Sequence, residues 1–148
     1  MNSGAFGQSF LQQVTKARHD LRNPLAHILG FSEMLAEHAR RQGHDDLRAD
    51  SMAVNAIAEQ ILAQVNQVLD TVKIEQGQSD IPGLQEEAQT LATKILQLTD
   101  EVGRKFGLLN DDVINNDLAR IAGAAQKLIE LAGSTLPRLR RGLPPTQP

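Results

Sequence analysis

At 148 residues the chain has room for one ordinary domain or two small ones. Apolar residues make up 41% of it and aromatics only 3%, so the core must come from Leu, Ile, Val and Ala, which suits helix bundles rather than β-sandwiches. Cysteine is absent, which excludes disulfides and thiolate metal sites, and a net charge of −3 argues against broad nucleic-acid or anionic-membrane binding. The opening residues 1–7 have neither a basic end nor an apolar run, so no signal peptide is expected. No stretch approaches the roughly 18 apolar residues of a membrane span. A cytoplasmic setting follows as the expectation.

In chain order, Phe10, Val14, Ala17, Leu21, Pro24, Ile28, Phe31 and Leu35 alternate spacings of four and three, which predicts one helix over about residues 8–41. Gln42-Gly43-His44-Asp45-Asp46 breaks the stripe, with Gly43 as a natural stop. A second stripe runs through Val54, Ile57, Ile61, Val65, Val68 and Val72, so the first two helices make an αα-hairpin. The polar segment from Gln76 to Gly83 contains Gly and Pro and reads as a linker. A third stripe, Leu84, Ala88, Leu91, Ile95, Leu98 and Val102, closes near Gly103 to Gly107. A fourth starts at Asp111-Asp112 and carries Ile114, Leu118, Ile121, Ala125, Leu128 and Leu131. Pro137 is expected to end it, leaving Arg138, Arg140 and Arg141 in a frayed, solvated tail.

The predicted class is therefore all-α: two antiparallel helical hairpins, over residues 1–77 and 78–148, forming a four-helix bundle. The halves align without gaps at the offset that carries Asp50 onto Asp117. Ala58-Glu59-Gln60-Ile61-Leu62 then lies over Ala125-Gln126-Lys127-Leu128-Ile129, and Leu69 over Leu136. Identities are few, but one offset serves both helices and the turn, and this reads as a duplication with a degenerate second copy.

The segment His19-Asp20-Leu21-Arg22-Asn23-Pro24-Leu25 stands apart, because it places a proline inside a helical stripe at a cost of roughly 3 kcal/mol. With its flanks from Phe10 to Leu35 it resembles the H-box of two-component sensor histidine kinases. Val68-Leu69-Asp70-Thr71-Val72-Lys73-Ile74-Glu75-Gln76-Gly77 is similar to the stretch leading out of the same dimerisation and histidine-phosphotransfer (HisKA-like) domain. The resemblance covers residues 8–77. It implies an antiparallel hairpin completed into a bundle by a second hairpin, and it implies that His19 is the phosphorylated residue.

The chemistry agrees. His19 is turned some 160–200° from Ala17 and Leu21 at about 100° per residue, so it faces solvent. An imidazole with a pKa near 6.5 is mostly neutral at pH 7 and offers a lone pair to phosphorus. Asp20 is the candidate general base, holding the other ring N–H and taking up developing positive charge. Asn23, one turn on, is placed to orient a water or the phosphoryl group; the resemblance implies influence over phosphotransfer and phosphate removal at this position. Pro24 cannot donate to the carbonyl of Asp20, and a local bend would give the histidine freedom to meet different partners. Arg22 is a weaker candidate, supplying positive charge near an incoming phosphate.

Plainer explanations cover the other polar features. A solitary exposed histidine is ordinarily just solvated, and His27, His38 and His44 lack the company His19 has. His38, His44 and Asp45 have metal-ligand chemistry but match no ligand spacing, so no metal is assigned. The Asp45-Asp46 and Asp111-Asp112 pairs are helix-start charges favoured by the dipole.

At the same offset Glu86 stands opposite His19, Glu87 opposite Asp20, Thr90 opposite Asn23 and Leu91 opposite Pro24. The second hairpin keeps acidic character and lacks the nucleophile. No Asn-rich or Gly-rich nucleotide box follows Gly77, so the chain is not expected to phosphorylate itself. It is a candidate histidine phosphotransferase that takes phosphate from another kinase or exchanges it with a response-regulator receiver domain. No cofactor is expected in this chain, with Mg²⁺ on the receiver partner, and neither nucleic acid nor membrane is an expected partner. A non-catalytic module binding a kinase, receiver or output domain is the alternative, and a dimerising input piece of a regulated cyclase or phosphatase is a third. A monomeric pseudo-dimer is favoured over a homodimer.

Overall fold

The computed structural model describes residues 8–142; the expectations for residues 1–7 and for the tail beyond 142 lie outside the described residues. The elements are α1 (Gln8–Gln42), α2 (Asp45–Val68), a short α3 (Thr71–Glu75), α4 (Ile81–Phe106) and α5 (Asp112–Gly142), with a 3₁₀ turn at Gly107–Leu109 between the last two. The structure is all-α, as the residue pattern predicts, and no helix among the described residues is long and apolar enough to cross a membrane.

Backbone chemistry explains where the helices stop. Gly43, at φ +74°, closes α1 by donating to Arg40 O, while His44 N donates to Ala39 O at 2.9 Å, the paired bonds of a Schellman end. Gly77, at φ +69°, closes α3 in the same way, with Gln78 N donating to Lys73 O at 2.8 Å. Arg40 and Arg41 place positive charge on the last turn of α1. Asp80 caps α4 by accepting from Gly83 N, and Asp111 accepts from Val113 N and Ile114 N at the head of α5.

Three expectations are corrected. The linker read from Gln76 to Gly83 is shorter, because Asp80 caps α4 and Ile81, Pro82 and Gly83 form its first turn. The second stripe does not run unbroken to Val72: Asp70 accepts from Val72 N and Lys73 N and so starts α3 as a new helix. The change of phase leaves Val72 exposed and buries Ile74 in its place. Nor does Pro137 end α5, which continues to Gly142 with Arg138, Arg140 and Arg141 helical. The missing proline N–H costs one backbone bond, and burial of Leu136 and Leu139 on either side offsets it. The end of α5 also lies against the start of α1, where the Phe10 ring approaches Gly142.

The four long helices pack in a ring, α1 against α2 and α5, and α4 against α2 and α5. Lys105 Nζ at the end of α4 meets Asp50 Oδ2 at the start of α2, and His38 near the end of α1 meets Asp111 before α5, so neighbours run antiparallel. The core is aliphatic throughout, with Leu21, Leu25, Ile28, Leu47, Ile61, Leu84, Ile95 and Leu128 each fully buried. Burying each such side chain contributes about 1.5–3 kcal/mol.

Burial follows the internal alignment closely. The buried residues Val14, Ala17, Leu21, Leu25, Ile28, Ser32 and Leu35 of α1 align with Ile81, Leu84, Ala88, Ala92, Ile95, Thr99 and Val102 of α4, all buried. In α2 and its C-cap, Leu47, Ser51, Val54, Ala58, Ile61, Val65 and Leu69 align with Ile114, Leu118, Ile121, Ala125, Leu128, Ala132 and Leu136, again all buried. Ser32 and Thr99 even share a role, each hydroxyl donating to a carbonyl of its own helix.

The first hairpin has a polar lock that the second lacks. Asn55, 4% exposed, donates across to Leu29 O at 3.2 Å and to Ser32 Oγ at 3.0 Å, whereas the aligned residue is Ala122. Asn55→Ala removes both cross-helix bonds and is expected to lower stability by about 1–3 kcal/mol in urea unfolding.

Candidate functional site

The helical register of α1 puts His19, Asn23 and His27 one turn apart along one side, away from the buried Leu21, Leu25 and Ile28. His19 is exposed, as its phase predicts. Together with Asp20, Pro24 and Phe31 these residues form one wall of a groove of about 640 Å³ between α1 and α5. The facing wall comes from the second hairpin: Arg120, Gly123, Ala124, Lys127 and Leu131. The floor is tied together by rings and charge. His27 meets Phe31 edge-on at 6.4 Å, and the Arg120 guanidinium lies 5.1 Å above the Phe31 ring.

The proline leaves α1 in one piece. Pro24 is buried within a helix continuous from Gln8 to Gln42, so packing around it outweighs the lost bond. The carbonyl of Asp20 is the one left without its usual donor four residues on.

Asp20 is engaged in a direction the sequence did not suggest. Its Oδ2 accepts from Lys16 Nζ at 2.9 Å, and among the described residues neither His19 nor Asn23 has a hydrogen-bond partner. An exposed pair one turn apart is worth only about 0.3–0.5 kcal/mol, so Asp20 is easily released to a neighbour. Arg22 is exposed but does not line the groove. Its neighbour Arg18 instead donates to Leu69 O at 3.0 Å, capping the end of α2 and fixing that helix against the segment that carries His19.

The cations at the groove are Arg120 and Lys127, which sequence reasoning passed over. The signal was present in the internal alignment, where Lys127 replaces Gln60 and Arg120 replaces Ala53. The aligned positions on α4 carry Glu86, Glu87, Thr90 and Leu91, with Gln60 Nε2 donating to Glu87 Oε1 at 3.3 Å.

Residues 11–77 match the His Kinase A (phospho-acceptor) domain. The first hairpin is similar to this phospho-acceptor domain over those residues. The chain is also 33% identical over 97 residues to the cell-division control histidine kinase PdhS of Brucella ovis, Brucella abortus and Brucella melitensis. That similarity covers 65% of this chain and only 8% of each kinase, so the chain spans a small part of the length of these relatives. No solved structure gives a significant match. The matched stretch ends at Gly77, just past α3, with α4 and α5 beyond it.

A second groove farther along the α1–α5 seam has a different electrostatic character. His38 Nε2 and Asp111 Oδ2 lie 2.7 Å apart. That hydrogen bond, helped by the amides of Ile114 and Val113 and opposed by burial, holds the Asp111 carboxyl below its usual 3.8. His44 lies beside Phe106, with ring centroids 6.3 Å apart, so neither His38 nor His44 is arranged around a common ion. Asp117, 4% exposed with Oδ2 unpartnered among the described residues, is pushed above 3.8 by burial, with Arg120 and His38 opposing. The folded state therefore binds a proton that the unfolded chain has released. Stability is lost as pH rises from about 3.8 through the folded value, and the loss is complete above it. Asp117→Asn is expected to gain on the wild type over that window and then hold a constant advantage, read by urea unfolding from pH 3.5 to 8.

Proposed function

We propose that His19 is a phosphoryl acceptor and donor, exchanging phosphate with the aspartate of a response-regulator receiver domain in a two-component pathway. The observation that carries this reading is the exposed His19 at the mouth of a groove shared with Asp20 and Asn23, inside a segment that matches a phospho-acceptor domain. The imidazole nitrogen bonds to phosphorus as the acyl phosphate P–O bond breaks, and the aspartate carboxylate departs. The ring then carries excess positive charge. Asp20, released from Lys16, takes the proton from the second ring nitrogen or balances its charge. Asn23 holds a phosphoryl oxygen or a water, and Mg²⁺ bound on the receiver partner would supply charge neutralisation there.

In this reading the phosphate is not taken from ATP by these helices. Residues 81–142 close the bundle, which leaves nucleotide chemistry to another domain or polypeptide, and a cytoplasmic setting goes with such partners. The second hairpin is a degenerate copy of the first, supported by the matching burial of the two halves. It covers the apolar face that a HisKA-like hairpin would otherwise bury against another chain, so the protein is a monomeric pseudo-dimer. A second reading, a non-catalytic docking module for a kinase, receiver or output domain, draws support from the pairing of Asp20 with Lys16 rather than with the His19 ring.

Incubation with a phosphorylated receiver is expected to give an acid-labile, base-stable label on the wild type. His19→Gln, a change at an exposed site, should remove it by a factor of about 100 or more while helicity is kept. A label that persists in His19→Gln sinks the phosphotransfer reading. Full partner binding without any label favours the docking module. Sedimentation equilibrium at micromolar concentration should return a mass near 16.2 kDa; twice that mass would defeat the pseudo-dimer.

A further inference from the structure

We infer that the second hairpin supplies the cation for the phosphoryl group at His19. Lys127 of α5, with Arg120 beside it, makes the α1–α5 groove the one face of the bundle that receives a dianionic phosphate carried on an aspartate. This deepens the phosphotransfer reading and rests on it for the identity of the donor.

Lys127 lines the groove opposite His19, is exposed, and has no ion pair or hydrogen bond among the described residues. Among the described residues the only carboxylate lining that groove, Asp20, is already paired with Lys16. Arg120 is occupied on one side by the Phe31 ring, and it also faces the buried Asp117. The free ammonium at this groove is therefore that of Lys127. An ammonium on a flexible stem is a mobile point charge suited to following a phosphoryl group as it transfers.

Reach is read from the opposite face of the bundle. There the residue aligned with Lys127 is Gln60, and its side-chain nitrogen bonds across the helix pair to Glu87, which aligns with Asp20. Lysine is one bond longer than glutamine and Asp20 one bond shorter than Glu87, so the aligned pair on this face has the same combined side-chain length. That equality is the basis for bringing the Lys127 ammonium to Asp20 and to a phosphoryl group on the adjacent His19. The two faces also differ together. Where α1 has the histidine, α5 has Arg120 and Lys127; where α4 has Glu86, α2 has Ala53 and Gln60. Lys94 on that second face takes the place of His27, two turns from Glu86. An anionic phosphate is thus drawn to one face and meets glutamates on the other.

A small phosphoryl donor separates this role from receiver docking. With potassium phosphoramidate, the imidazole nitrogen bonds to phosphorus as the P–N bond breaks and ammonia leaves, and the second ring N–H proton passes to water. Phosphohistidine formation and its subsequent half-life are followed by ³¹P NMR on the full chain, with His19→Gln as the blank. Lys127→Gln is expected to slow formation about tenfold and to flatten its salt dependence; Lys127→Arg should recover most of the rate, and Lys94→Gln should match the wild type. Lys127 is exposed, and circular dichroism verifies that the fold is kept. A Lys127→Gln rate within twofold of the wild type overturns the inference, as does a wild type that phosphoramidate never labels at His19. Labelling by phosphoramidate that depends on Lys127, without labelling by any phosphorylated receiver, upholds the cation and defeats the receiver assignment alone.

Discussion

A two-helix hairpin buries one side of each helix against its neighbour and leaves an apolar face open, and covering that face is the constraint on which the rest of this molecule depends. The stripe of Leu21, Leu25 and Ile28 in α1 and of Ile61 and Val65 in α2 is too large to leave in water. The chain covers it with α4 and α5, reached through a connection short enough to make the association intramolecular. Because α5 packs beside α1, the groove at the histidine has one wall from each hairpin. The site is therefore a product of bundle closure, and it exists only while the second hairpin is docked.

The same constraint explains why a proline and an unpaired histidine are tolerated at mid-helix. Around Pro24, apolar side chains are packed on the core side, while polar contacts to α2, away from the α1–α5 groove, hold the helix to either side. Arg18 ties α1 to the carbonyl of Leu69, and Asn55 ties α2 to Leu29 and Ser32, one contact to either side of the H-box. The backbone bond lost at Pro24 is bracketed by these ties, which hold the register of the two helices on which His19 depends.

Much of this was legible in the residue pattern, because an apolar period of three and four needs no knowledge of tertiary structure. The extent of α1, the Gly43 stop, the start of α5 after Asp111 and the exposure of His19 all follow from it. The misses have two causes: most depend on what lies across space, and one on a local cap. Pro137 looks like a terminator until Leu136 and Leu139 are seen to be buried. Val72 looks like core until Asp70 restarts the helix and turns it outward. Asp70 was a readable cap signal, but the apolar count masked it. Arg22 is near His19 in sequence and absent from the groove wall, whereas Arg120 and Lys127 are distant in sequence and form part of it. Only the order of helices around the ring decides which of them His19 faces.

Covalent linkage has a further physical consequence for such a bundle. In an assembly of two identical hairpins every substitution appears twice, so a cation placed for one histidine is placed for both, and a glutamate that repels phosphate repels it at both. Joining the hairpins in one chain removes that constraint. Each face then answers to its own residues: histidine with Arg120 and Lys127 on one, Glu86 with Ala53 and Gln60 on the other. The core does not share this freedom, since both faces bury side chains in the same central layers, and the aligned positions stay apolar or small. Divergence at the grooves with agreement in the core is what the proposed phosphotransfer at one face of a pseudo-symmetric bundle would require.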